Sequence, residues 1–278
     1  MTAGEHLTER HYIYRHSVIV RVTHWVNVLC MLVLPMNGLQ IFNAHPALYL
    51  GEISNFDDPL LSMRAMRDAA AQPVGITEIG DTRFETTGVV GLSESNGRLT
   101  ARGFPSWLTL PSYQDLATGR RWHFFFAWLF VINGLVYVGY TFASGHWRSL
   151  VPSGTQLRHI GSAIRDHLML RFPKGEEARS YNVLQRLAYI GVIVVLVPAL
   201  ILAGLTMSPA MNAAFPWLLD LFGGRQSART VHFIAAALLL LFVFVHVLMV
   251  LLSGVLNNMR SMLTGRYRID GEKPHEAK

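Results

Sequence analysis

Charged residues are scarce in this chain of 278 residues: Asp, Glu, Lys and Arg together make up 15% of it, against roughly a quarter in an average soluble domain. Cysteine is nearly absent, and with Cys30 alone no intrachain disulfide can form. Hydrophobic residues instead make up 51%. This composition excludes a disordered chain, a collagen-like repeat and a disulfide scaffold. The shortage of charge indicates an integral membrane protein.

The apolar residues gather in four blocks. A helix needs about 20 apolar residues to cross the hydrocarbon core of a bilayer. We predict four spans, I to IV, at about residues 18–42, 122–142, 187–207 and 231–253. The predicted fold is an all-α integral membrane protein: a four-transmembrane-helix bundle with a long extracytoplasmic loop, 44–119, between spans I and II. We expect residues 1–278 to form a single membrane domain.

Basic residues near the span ends predict the orientation. Fourteen Lys and Arg lie in the N-terminal tail, in the connection between spans II and III, and in the C-terminal tail. Loop 44–119 carries nine acidic residues against five arginines. Because basic residues favour the cytoplasmic side, we predict that both termini are cytoplasmic. Membrane topology explains the net charge of +6, and nucleic acid is not expected as a partner.

Loop 44–119 is too long to be a simple connection. Within it, residues 59–71 (PLLSMRAMRDAAA) are predicted to form a short amphipathic helix. Asn96-Gly97 is a hairpin signal between two short strand-like segments. We expect the loop to form a small folded cap or a docking platform for another protein.

Four of the twelve histidines lie in the predicted spans, where ionisable groups usually mark functional sites. His232 and His246 are fourteen residues apart on span IV, so both project from one face, about 21 Å apart along the helix axis. From the direction of each span, His24 lies at the depth of His246 and His123 at the depth of His232. We therefore expect two pairs, His24 with His246 and His123 with His232.

Paired imidazoles on facing helices suit haem iron with two axial histidines. A zinc site needs three or four protein ligands, and neither level offers a third histidine or a carboxylate. A proton relay is an alternative, but such relays usually include an intramembrane Asp or Glu, and the spans contain none. His16, at the membrane surface, is the less favoured ligand and suits a headgroup or a quinone site.

Arginines and glycines near the histidines have two interpretations each. Arg21, Arg121 and Arg229 precede the proposed ligands by two or three residues, and they suit either haem propionates or anchoring at the membrane interface. Glycines in the spans make room either for a porphyrin or for close helix packing; they are Gly38, Gly134, Gly139, Gly191 and Gly204.

Three segments and one spacing carry a resemblance. RVTHWVN opens span I, ATGRRWHFFFAW enters span II, SYNVLQRLAY enters span III, and His232 and His246 share span IV. Together they resemble the bacterial di-haem cytochrome b family, the cytochrome b561-like membrane subunits of hydrogenases, formate dehydrogenases and thiosulfate reductases. The resemblance implies two b haems on His24, His123, His232 and His246. It also implies a quinone pocket that includes Tyr181, Asn182 and Gln185.

The resemblance implies that the chain is a bacterial inner-membrane subunit that transfers electrons and is not itself the catalytic subunit. Such a subunit passes electrons between menaquinone or ubiquinone and a periplasmic oxidoreductase. The long loop 44–119 favours the thiosulfate reductase branch, whose partners resemble molybdopterin enzymes. Leu184 departs from a glycine typical of formate dehydrogenase members. The alternatives are a self-sufficient haem-dependent quinone oxidoreductase, such as a superoxide oxidase, and a haem-free transporter, which the lack of intramembrane carboxylates and of paired broken helices disfavours.

Overall fold

Four helices in this protein are long and apolar enough to cross a membrane. The computed structural model describes residues 10–95, 97–158, 160–169 and 183–270. In chain order the helices are α1 (Val18–Phe42), α2 (Leu116–Ala143), α3 (Trp147–Leu150), α4 (Gly154–Arg158), α5 (Ile160–Leu168), α6 (Val183–Ile190), α7 (Val197–Thr206), α8 (Pro209–Ala214), α9 (Trp217–Phe222), α10 (Arg225–Leu252) and α11 (Val255–Thr264). Helices α1, α2 and α10 are spans I, II and IV, and α6 continues into α7 as span III. The four predicted spans are therefore confirmed.

Span III changes its helical form at its centre. Between α6 and α7, residues Gly191–Leu196 form a π-helix. Pro198 follows at the start of α7. Proline has no N–H to donate to the preceding turn, and a local π-helical turn is one way for a helix to accommodate the interruption.

Strands occupy much of residues 44–119, which we call the cap, so the all-α prediction is wrong there. In chain order the strands are β1 (Arg10–Tyr14), β2 (Ala47–Leu48), β3 (Leu61–Arg67), β4 (Pro73–Ile79), β5 (Thr82–Glu85), β6 (Gly91–Ser95), β7 (Arg98–Arg102) and β8 (Arg266–Asp270). In the cap, β2 to β5 form an antiparallel sheet in sequential order, with Leu61 opposite Ile79. Outside the cap, β1 pairs with β8.

The predicted amphipathic helix at 59–71 is wrong, because most of this segment is strand β3. Strand β3 pairs with β2 on one edge and with β4 on the other. After β3, Oδ1 of Asp68 accepts hydrogen bonds from the N–H groups of Ala70 and Gln72 at 2.9 and 2.8 Å. A short polar side chain that bonds nearby backbone in this way favours a turn over a helix.

The predicted hairpin is confirmed. Strands β6 and β7 pair antiparallel, with Ser95 opposite Arg98 at the closed end. Gly97 has a positive φ of 74°, the conformation for which glycine is favoured at such turns. Asn96 itself lies outside the described residues.

The chain divides into two compact units. Unit 1 comprises Met1–Trp25, Gly134–Val195 and Leu241–Lys278; unit 2 comprises Val26–Asn133 and Leu196–Leu240. In unit 2, the buried side chains of Phe42, Leu48 and Met63 form a hydrophobic cluster that joins the end of α1 to the cap. Phe233 of α10 packs on the same cluster, so the cap and two spanning helices share one core.

Candidate functional site

The first histidine pair lies in unit 2. His123 on α2 and His232 on α10 face each other, with ring centres 6.2 Å apart and ring planes at 70°. Both side chains are half-buried. The structure thus brings together the two residues that the sequence paired by depth.

A main-chain carbonyl supports each ring of this pair. Nδ1 of His123 lies 3.3 Å from the oxygen of Leu34, and Nδ1 of His232 lies 2.8 Å from the oxygen of Leu200. A carbonyl oxygen can only accept a hydrogen bond, so Nδ1 carries the proton and Nε2 keeps its lone pair. A histidine that ligates a metal through Nε2 needs this tautomer and this kind of support.

Two glycines make room for the same rings. A Cβ at Gly38 would lie 3.5 Å from Cε1 of His123, and one at Gly204 would lie 3.1 Å from Cε1 of His232. Both glycines therefore accommodate an imidazole. The other three glycines noted in the spans, Gly134, Gly139 and Gly191, would bring a Cβ within 4 Å of no other group among the described residues.

The second pair lies in unit 1. His24 on α1 and His246 on α10 have ring centres 6.4 Å apart and planes at 57°. Aromatic rings surround them: Phe242 stacks on His246 at 6.1 Å with planes at 20°, and Trp25 meets His24 edge-on at 5.5 Å. Nδ1 of His24 is buried and has no hydrogen-bond partner within the described part of the chain.

Both spacings fit a metal ion held between two imidazoles on opposite sides. A metal–imidazole nitrogen bond is about 2 Å long, so two such bonds plus the ring radius at each end place the ring centres roughly 6 Å apart. Across residues 10–95, 97–158, 160–169 and 183–270, no three His, Cys, Asp or Glu side chains gather into a metal-binding group. Haem iron needs only two ligands from the protein, because the porphyrin supplies the others. The residues present at both pairs therefore fit haem.

A family model described as prokaryotic cytochrome b561 matches residues 15–265. The chain belongs to the prokaryotic cytochrome b561 family. It is therefore a multi-pass membrane protein of electron transfer that binds haem b. The match contains both histidine pairs.

A relative of this cytochrome b561 protein comes from Azospira oryzae and is named "Putative protein-methionine-sulfoxide reductase subunit YedZ1". The two sequences are 29% identical over 238 residues, which cover 85% of this chain and 90% of the relative. No solved structure gave a significant match to the chain.

The three arginines singled out in the sequence differ in their surroundings. Arg229 donates from Nη2 to the carbonyl oxygen of His45, and its guanidinium lies 5.4 Å from the ring centre of Phe42. Arg21 donates from Nη1 to the carbonyl of Leu263. Arg121 is exposed and donates to Oγ1 of Thr118 at 3.1 Å. Arg229 and Arg21 thus fasten other segments of the protein to the spanning helices.

The structure describes only some of the residues that the resemblance implies for a quinone pocket. Tyr181 and Asn182 lie outside the described residues. Gln185 is on the first turn of α6 and is half-buried. Next to it, Arg186 donates from Nη1 to the carbonyl of Val151 at 3.1 Å, so the start of α6 is tied to the segment that follows α3.

Histidines outside the spans have lowered pKa values. Burial lowers the pKa of His16 to about 4, together with the positive charge of Arg15 and the proximity of His24 and His146. Burial also lowers the pKa of His45, with a further contribution from Arg229. Both rings are therefore neutral at neutral pH, and each can accept as well as donate a hydrogen bond.

The spans also contain buried amides, which the pattern of histidines and arginines does not predict. Nδ2 of Asn133 donates to Oδ1 of Asn27 at 2.8 Å, which ties α2 to α1. Asn37 and Gln40 are 0% and 2% exposed, and Nε2 of Gln40 donates to the carbonyl of Tyr113 at 2.9 Å. Amides inside apolar blocks are the signal that would have identified them, because such groups need partners within the protein.

Proposed function

We propose that this chain is the membrane subunit that carries electrons between a quinone and a catalytic oxidoreductase subunit, through two b haems. One haem is held by His24 and His246, and the other by His123 and His232. The observation that carries the proposal is the spacing of the two pairs, 6.4 and 6.2 Å between ring centres, on facing helices.

Haem, when bound, supplies one-electron oxidation and reduction. The chain's own residues position and insulate it. The carbonyls of Leu34 and Leu200 orient the rings of His123 and His232 through Nδ1, which would leave Nε2 of each ring to hold the haem iron. At the other pair, the ring of Phe242 stacks on His246 and restrains the plane of its imidazole.

The cap is fastened to α10 beside His232. Thr230 donates from Oγ1 to the carbonyl of Tyr49 at 2.7 Å, and the N–H of Gly51 donates to Oγ of Ser227 at 2.7 Å. Arg229 adds its bond to the His45 carbonyl. A protein that docks on this part of the cap would therefore lie next to the His123–His232 pair.

Exposed apolar side chains at the fastened segment supply a docking surface. Leu50, Ile53 and Phe56 are 65%, 77% and 71% exposed. Residues 50–58 also contain three carboxylates and no basic residue. We propose that this surface binds the catalytic subunit through an apolar patch with a basic rim, since opposite charges steer partners together.

The name of the Azospira oryzae relative supports a partner that reduces sulfoxides. A molybdopterin enzyme in the periplasm remains our specific proposal for that partner, and it rests on the resemblance noted in the sequence. The cap would then be extracytoplasmic and both termini cytoplasmic. The pairing of β1 with β8 supports the placement of both termini on one side, as an even number of crossings requires.

We propose that the quinone, menaquinone or ubiquinone, binds near the His24–His246 pair, with Asn182 and Gln185 as its contacts. The resemblance at SYNVLQRLAY carries this placement. His16 is a second candidate contact, because a neutral imidazole near His24 can hydrogen-bond a quinone oxygen.

A haem count tests the proposal. We expect two b haems per chain in a pyridine haemochrome assay of the purified protein, and one each in His246→Ala and in His232→Ala. His45→Ala, which removes a histidine outside both pairs, is the matched control and should keep two. A wild-type protein without haem, or a His246→Ala variant with two haems, would contradict it.

A self-sufficient quinone oxidoreductase is the second candidate. It would turn over without a partner subunit, and it gives no role to the exposed side chains of Leu50, Ile53 and Phe56. Reduction of the haems by a quinol, followed by reoxidation that requires an added catalytic subunit, would favour the electron-transfer subunit. Rapid reoxidation by a small oxidant alone, unchanged by Phe56→Ser, would favour the self-sufficient enzyme.

A further inference from the structure

The two ends of the described chain form one piece with helix α11. Strands β1 and β8 pair over five residues each. The side chain of Asn257 in α11 makes two hydrogen bonds to the main chain of Arg268. Its Oδ1 accepts from the N–H of Arg268 at 2.9 Å, and its Nδ2 donates to the carbonyl of Arg268 at 2.8 Å. Gly265, at φ +81°, joins α11 to β8. It lies so close to Tyr14 that a Cβ at this position would be 2.6 Å from the tyrosine ring.

One face of the β1–β8 sheet carries tyrosines and arginines. Tyr12 lies opposite Arg268, and Tyr14 lies opposite Arg266, and residues directly opposite in a sheet project to the same face. Tyr12 and Tyr14 are 51% and 64% exposed, so this face is open. From α11, the guanidinium of Arg260 lies 5.8 Å from the ring centre of Tyr12, which extends the same basic and aromatic surface.

Helix α11 adds an exposed apolar stripe. Leu256, Met259 and Leu263 recur at helical spacing and are 80%, 37% and 60% exposed. Helix α11 begins three residues after α10 ends at Leu252, and Gly254 at φ +107° turns the chain between them. Because α10 crosses the membrane, α11 begins at its surface, where a helix with an apolar stripe on one side and polar residues on the other lies in the interface.

The charge of this region is predominantly positive. Residues 10–24 and 253–270 contain six arginines and one carboxylate, that of Asp270, which ends β8 opposite Arg10. We propose that α11 and the β1–β8 sheet form a binding platform for anionic phospholipids. The arginines Arg260, Arg266 and Arg268 contact the phosphate headgroups, and Leu256 and Leu263 contact the acyl chains below them. A zwitterionic lipid could cover the apolar stripe of α11, but it would have no need of the arginines. Free phosphate could bind the arginines, but it would leave the apolar stripe uncovered.

Lipid retention by the full-length protein tests this proposal, which does not depend on the electron-transfer role. The purified chain is equilibrated with micelles that contain equal amounts of phosphatidylglycerol and phosphatidylcholine of the same acyl length, and bound lipid is measured by native mass spectrometry. We expect phosphatidylglycerol to be preferred. The double variant Arg260→Gln/Arg266→Gln should weaken its binding roughly 25-fold, about fivefold for each charge removed near an anionic surface.

Two further variants keep the test decisive. Arg98→Gln/Arg225→Gln removes the same charge from exposed positions elsewhere and should leave the preference unchanged. Leu256→Ser/Leu263→Ser should weaken phosphatidylglycerol binding while the haem count stays at the wild-type value, which shows that the protein is folded. Equal retention of both lipids, an arginine variant that behaves like its control, or displacement of the lipid by millimolar inorganic phosphate would overturn the proposal.

Discussion

The two histidine pairs have nearly the same spacing and different surroundings. Around His123 and His232 the protein supplies main-chain carbonyls, at 3.3 and 2.8 Å from Nδ1. Around His24 and His246 it supplies aromatic rings, and Nδ1 of His24 finds no acceptor among the residues that the structure describes. The imidazoles of one pair are therefore oriented by main-chain carbonyls, and those of the other pair by aromatic rings.

The two arrangements differ in chemistry as well as in packing. A hydrogen bond from Nδ1 to a carbonyl makes Nε2 a stronger donor to a metal, whereas a stacked ring restrains the imidazole and leaves its basicity little changed. A more basic ligand stabilises ferric over ferrous iron. We therefore expect two haems with the same ligands and unequal potentials.

The largest expected effect is loss of haem from one pair. A Cβ at Gly204 would lie 3.1 Å from the His232 ring, so the side chain in Gly204→Leu should displace that ring and empty the His123–His232 site. Gly191→Leu, on the same span and with no group within 4 Å of its Cβ position, is the matched control. A pyridine haemochrome assay should give one haem for Gly204→Leu and two for the control. Two haems in both variants would show that the glycine does not define the site.

The second largest expected effect is a loss of stability in the cap, without any change at the His24–His246 pair. Glu78 is buried and accepts hydrogen bonds from Ser62 at 2.9 Å and Arg64 at 2.6 Å, with Arg83 also at 2.6 Å. Bonds of this kind to a charged group contribute about 2 kcal/mol. We expect Glu78→Gln to lower the free energy of opening of strands β3 and β4 by about that amount, measured by hydrogen exchange at neutral pH.

The pH dependence of the cap follows from the same carboxyl. Burial would raise the pKa of Glu78, but the hydrogen bonds from Ser62 and Arg64 and the charges of Arg64 and Arg83 outweigh it and lower the pKa. A lowered carboxyl pKa stabilises the fold above the ordinary pKa of glutamate, and this stability is lost as the pH falls through the lowered pKa. Proteolysis of the wild-type cap should therefore increase below about pH 4, and Glu78→Gln should lack this step. An identical step in the variant would assign it to another group.

The spans and the histidine pairing could be predicted from the sequence because they depend on hydrophobic length, helix geometry and the order of the spans. Hydrophobic length sets where a helix crosses a membrane, and a fixed rise per residue sets the depth of His232 and His246 on α10. The partners His24 and His123 then follow from the direction of each span. That direction follows from the order of the spans and from the basic residues at their ends, so this last step uses the whole chain.

The cap and the support of the histidines could not be predicted in the same way. Strand β3 depends on pairing with β2 and β4 and on a turn made by the Asp68 side chain, and pairing between distant segments leaves no local period. The carbonyl of Leu200 that holds His232 leaves no trace in the sequence at all, because every residue has a carbonyl. The sequence shows a glycine at position 204, but it does not show that this glycine lies against an imidazole.

A smaller expected effect is the difference between the two haem potentials. One hydrogen bond is worth about 1 kcal/mol, which for one electron corresponds to a shift on the order of 50 mV; the two bonds at His123 and His232 together correspond to about 100 mV. We expect the haem of the His123–His232 pair to have the lower potential by about this amount. A spectroscopic redox titration should resolve two components, and His232→Ala should remove the lower one. Loss of the higher component in His232→Ala would reverse the comparison.

The smallest expected effect concerns the stacked ring at the His24–His246 pair. Phe242 lies parallel to His246, with centres 6.1 Å apart, and an aromatic pair of this kind contributes about 0.5–1.5 kcal/mol beyond the area it buries. Phe242→Leu should loosen the imidazole and broaden the reduced spectrum of the higher-potential haem, while the lower-potential haem is unchanged. Phe244→Leu, on the same helix and 67% exposed, is the control and should leave both spectra as they are. If Phe242→Leu alters the lower-potential haem instead, the aromatic rings do not distinguish the two sites, and the carbonyl bonds at Leu34 and Leu200 alone carry the difference.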